Sequence, residues 1–100
     1  MTNITHCPYT GIKKMRYLFM AEHLPEQLKE LKRQGMPALD AYMDQVQKDY
    51  GRTITEYVNH WDKTHQHLKQ PGNWDPWFKG LKMAEHQAEE IAIRNVIEAL

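Results

Sequence analysis

From Pro37 to Lys69 the chain reads PALDAYMDQVQKDYGRTITEYVNHWDKTHQHLK. Leu39, Met43, Val46, Tyr50, Ile54, Tyr57, Trp61 and Leu68 recur there at steps of mostly three or four residues, the period of one face of an α-helix. A proline at the head suits a first helical turn, where the missing N–H costs no hydrogen bond. Gly51 is the weak point, since glycine inside a helix costs about 1 kcal/mol relative to alanine. The alternative is a break at Tyr50-Gly51-Arg52 with Thr53 as a new N-cap. The stripe keeps its phase across Gly51, so the spacing predicts one long helix over 37–69.

On the N-terminal side, Ile12, Met15, Leu18 and Phe19 form an apolar stripe with Lys13, Lys14 and Arg16 off it, which predicts a helix over 12–23. Pro25 then opens a short helix carrying Leu28 and Leu31 and stopping at Gly35. On the C-terminal side, Gln70-Pro71-Gly72-Asn73 reads as a turn, with Asp75 as an N-cap and Pro76 at the first helical position. Trp77, Leu81, Ala84, Ala88, Ile91, Asn95 and Ala99 mark the final helix. Alternating apolar and polar runs, the signal of strands, are missing. The expected fold is all-α: a small antiparallel helical bundle of four helices, two short N-terminal, one long central and one long C-terminal. It is a single domain over 1–100, with residues 1–11 as a flexible tail. The long helix should pack against the last, and the short pair across one end. Trp61, Trp74 and Trp77 flank the turn and should cluster, with Trp61 and Trp77 buried in phase with their stripes and Trp74 freer.

With 100 residues, 41% hydrophobic and 26% charged, the chain is too small for a large enzyme with a deep cleft and too apolar for intrinsic disorder. A single cysteine, Cys7, forms no internal disulfide, as expected in a reducing cytosol. The N-terminal residues do not read as a secretion signal, and no apolar run approaches a membrane span. The expectation is a cytoplasmic protein with no membrane partner.

His60, His65 and His67 lie close together beside Asp62, yet five- and two-residue spacings put neighbouring rings roughly 140–160° apart on a helix. His60 and His67 share a face but stand about 10 Å apart along the axis. Glu85 with Glu89, and Glu22 with Glu26, are carboxylate pairs at four-residue spacing that read as exposed helix surface. Nucleophile elbows, phosphate-binding glycine loops and catalytic Cys/His signatures do not occur. The reading is therefore of a non-enzyme with no catalytic residue, metal or cofactor.

Thirteen Lys plus Arg balance thirteen Asp plus Glu for a net charge of zero, but the balance is uneven along the chain. Residues 1–39 hold six basic and three acidic side chains, 40–62 two and five, 63–82 four and one, and 83–100 one and four. The clusters Lys13-Lys14-Arg16 and Lys29-Lys32-Arg33 could together face a phosphate backbone, or simply be the wet faces of two helices. The candidate partner-binding residues are Lys13, Lys14, Arg16, Tyr17, Lys29, Lys32, Arg33 and Trp74, with Tyr9 as a further aromatic anchor.

The run Arg16-Tyr17-Leu18 followed by Glu22-His23, the short helix ending at Gly35, Leu39 through Asp44, and the closing Ala88-Glu89-Glu90-Ile91 with Val96-Ile97 together resemble the TnpV-type transposon-encoded proteins of bacterial mobile elements. The likeness covers about residues 14–100. It implies a small helical accessory protein of a mobile element, with no catalytic residues to carry over. The function expected from it is binding and inhibition of a host protein such as a CRISPR defence nuclease. The alternative is a DNA-binding accessory of a transposon using the basic face of the first two helices, and a third reading is a homodimerising module.

Overall fold

A computed structural model describes residues 7–100 and builds them from α1 (Gly11–His23), α2 (Pro25–Gln34), α3 (Met36–Thr64) and α4 (Asp75–Ala92), with a π turn, Ile93–Ile97, continuing α4. Among the described residues no strand forms, and an isolated bridge joins Gln70 to Asn73. The expected four-helix, all-α bundle is what the chain adopts. Helix α3 is unbroken through Gly51, and Thr53, the alternative cap, bonds its hydroxyl back to the Asp49 carbonyl inside the continuing helix (2.8 Å).

Helix α3 has 29 residues, a rod of about 43 Å, and it sets the molecule's extents of 57 × 24 × 20 Å. Helices α1 and α2 pack on its first half, where Tyr17, Met20, Leu28, Leu39 and Met43 form the core. Antiparallel α4 covers the rest. Its register is fixed by Tyr42 and Ile97 converging on Arg16 at one end, by the Tyr57 hydroxyl donating to Gln87 Oε1 (2.8 Å), and by Trp61 against Gly80 at the other. Ala84, Ala88 and Ala92 line the seam, side chains short enough for close helix approach.

The connections explain the sharp reversals. Gly35, at φ 106° and ψ 163°, joins α2 to α3 in a backbone region closed to residues with a Cβ. Pro71 followed by Gly72 at φ 82° makes the tight turn before α4, closed by the Asn73 N–H donating to the Gln70 carbonyl (2.9 Å). Helix α3 ends at Thr64 instead of near Lys69. His65 Nδ1 and the Thr64 hydroxyl donate to the Trp61 carbonyl, and the Gln66 amide donates to the Asp62 carbonyl, so side chains occupy the acceptors another turn would need. Helix α4 starts at Asp75 itself, with Trp74 in the N-cap position.

Two expected faces are corrected. Helix α1 buries Arg16, Tyr17 and Met20, while Met15 is 40% exposed. The cause is Arg16, whose guanidinium donates to the carbonyls of Ile97 (2.9 Å) and Ala99 (2.6 Å) and to the Tyr42 hydroxyl, turning this side of α1 inward. At the end of α4 the wider π turn adds a residue to the period, so Ile97 is buried and Asn95 is exposed. As for the expected tail over 1–11, residues 1–6 lie outside the described residues. Cys7 and Tyr9 pack on the core, and the Tyr9 hydroxyl donates to Asp40 (2.6 Å).

Candidate functional site

The basic clusters of α1 and α2 do not form one free cationic face. Lys13 pairs with Asp44 (2.6 Å) and Arg33 with Glu30 (2.5 Å). Arg16 is 4% exposed and committed to the fold. Lys32 lies 5.1 Å above the ring of Tyr17, which is itself buried. Lys14 and Lys29 remain exposed and outside any ion pair among the described residues. Beside Lys29 and Lys32 runs a shallow apolar groove over Ala21, Pro25 and Leu28. Tyr9 is half-buried, and burial together with its bond to Asp40 pushes its hydroxyl pKa well up, which keeps it a neutral donor.

Trp74 is the aromatic candidate that does face solvent, at 46% exposure, and it has company. Trp77 meets it edge-on at 6.1 Å, and Phe78, 52% exposed, meets Trp77 at 5.1 Å. The expected three-tryptophan cluster is thus a Trp74–Trp77–Phe78 cluster. Trp61 instead stacks on His65 (4.5 Å, 11°) and lies over Gly80.

The tip is held rigidly. The Trp77 indole N–H donates to Asp62 (3.2 Å), whose carboxylate also takes Lys69 (3.1 Å), and the Lys69 ammonium sits 5.0 Å over the Trp77 ring. Lys69 above all, then the indole, holds the Asp62 carboxyl below its ordinary range. One end of α3, the connection and the first turn of α4 are thereby tied together, and Trp74 and Phe78 project from that frame.

Neither families, curated proteins nor solved structures gave a match to this chain.

Phe78 escaped sequence reasoning because it lies off the stripe of α4; the signal was its place four residues after Trp74, which puts both on one side of a helix. His65 and His67 stack at 5.8 Å, and among the described residues no group of three or more His, Cys, Asp or Glu side chains is placed to hold a metal ion. No helix among the described residues is long and apolar enough to cross a membrane.

Proposed function

We propose that this chain is a non-enzymatic protein-binding module that docks through the Trp74–Phe78 tip. Following its likeness to TnpV-type proteins, its partner is a host protein such as a CRISPR defence nuclease, which it inhibits by occupying a working surface. The observation that supports docking is the pair of large aromatic side chains, 46% and 52% exposed, on a braced helix end. Exposed Trp and Phe on a rigid frame supply contact area at small entropic cost and are typical binding anchors. The DNA-binding alternative is less favoured, because Lys13, Arg16 and Arg33 are already engaged within the fold.

A plasmid-protection assay in cells carrying an active defence system tests the proposal. The wild-type chain should protect an invading plasmid, and Trp74→Ala/Phe78→Ala should lose about tenfold or more of that protection. The double variant should keep its helical circular dichroism, since neither side chain belongs to the core. A wild-type chain that gives no protection refutes inhibition, and an undiminished double variant refutes the tip.

A further inference from the structure

The charge around the tip names the chemistry of its partner. Residues 63–82 carry Lys63, Lys69, Lys79 and Lys82 against Asp75 alone. Lys69 is neutralised by Asp62, but Lys63, Lys79 and Lys82 make no ion pair among the described residues and are exposed. Two of these lysines follow Phe78 within one turn of α4, and the third lies in the last turn of α3. An apolar centre with cations on the helix ends that frame it is complementary to apolar side chains flanked by carboxylates. Resting on the docking role just proposed, we infer that the tip receives an acidic protein segment. Trp74 and Phe78 contact its apolar residues, and Lys63, Lys79 and Lys82 meet its Asp and Glu side chains.

A single-stranded nucleic acid, the other polyanion that uses aromatics and lysines, fits less well. Base stacking needs open ring faces, whereas the tip's rings are set at 85° and 68° to one another and Lys69 lies over the Trp77 ring. The basic region is also short. Lys82 already shares a shallow hollow with Glu85, His86 and Glu89, and residues 83–100 hold four acidic side chains against one basic. A strand continuing along α4 would meet repulsion there, while a segment whose charge is confined to the tip would not.

Titrations followed by the indole N–H resonances of Trp74 and Trp77 test the inference. The probes are a peptide of about 15 residues rich in Asp and Glu with two Leu, its Lys-rich counterpart, a thymidine oligonucleotide and phosphatidylserine vesicles. The acidic peptide should shift the Trp74 resonance, with affinity falling about tenfold between about 50 and 300 mM salt. Lys63→Glu/Lys79→Glu/Lys82→Glu should weaken it by at least as much. Should that variant misfold, Lys63→Gln/Lys79→Gln/Lys82→Gln removes the charge more gently, with the same expectation on a smaller scale.

A silent acidic peptide, a response only to the oligonucleotide or the vesicles, or unchanged affinity in the lysine variants overturns the inference. In the protection assay, loss in the aromatic variant with full protection by the lysine variant overturns the acidic partner and leaves the docking role standing. Full protection by both removes the docking role itself.

Discussion

Gly51 and Gly80 both occupy helix interiors, where replacement by alanine ordinarily stabilises, yet their surroundings give opposite expectations. A Cβ at Gly51 would meet nothing within 4 Å, so Gly51→Ala should raise unfolding free energy by up to about 1 kcal/mol. A Cβ at Gly80 would fall 2.5 Å from Cζ2 of Trp61, a ring already stacked on His65. Gly80→Ala should therefore cost about 1–3 kcal/mol through overpacking. Urea denaturation of the two variants checks both signs. Arg16 is the other residue on which packing turns. Its guanidinium satisfies two carbonyls at the end of the C-terminal helical segment and the Tyr42 hydroxyl. Arg16→Met leaves those acceptors without a donor, and Arg16→Lys lacks the planar fork. Each should lose about 2–4 kcal/mol in the same measurement.

At the scale of elements, one carboxylate, Asp62, ties the end of α3 and the connection to the first turn of α4. Because the folded pKa of Asp62 lies below its ordinary 3.8, the pair with Lys69 stabilises the fold at neutral pH, and that contribution is lost as pH falls below about 4. Asp44, held down by Lys13, behaves the same way at the other end of α3. Urea midpoints should drop between pH 7 and pH 3, and Asp62→Asn should show a smaller drop than wild type. An equal drop in both proteins would mean that Asp62 does not carry this dependence. The turn Gln70-Pro71-Gly72-Asn73 and the continuity of α3 were legible in sequence, because proline, glycine and periodicity act locally. The inward face of α1 was not. Hydrophobicity alone places Arg16 outside, and the Tyr42 hydroxyl together with carbonyls more than eighty residues later in the chain brings it in.

Seen as a whole molecule, the bundle is a rod. Its radius of gyration is 17.8 Å, against about 13 Å for a compact chain of this length. Solution X-ray scattering of a monomer should return a value near the larger figure. A scattering mass twice that of the monomer would support the homodimerising reading. Neutral overall charge conceals the division along the rod. The basic side chains near the core end are largely engaged in pairs or bonds, while at the aromatic tip Lys69 is paired with Asp62 and Lys63, Lys79 and Lys82 make no ion pair among the described residues.

Sequence alone determined four helices, their order, the long unbroken α3 and the turn before α4, because periodicity and the φ restrictions of Pro and Gly are properties of neighbouring residues. Tertiary structure decided which charges are free and which aromatics are exposed. Lys13, Arg16 and Tyr17 look like surface candidates in a linear reading and are engaged in or buried by the fold, whereas Phe78 reads as nothing in particular and stands at the tip. Burial and ion pairing depend on partners far along the chain, and the packing of α4 along α3 is what brings those partners together.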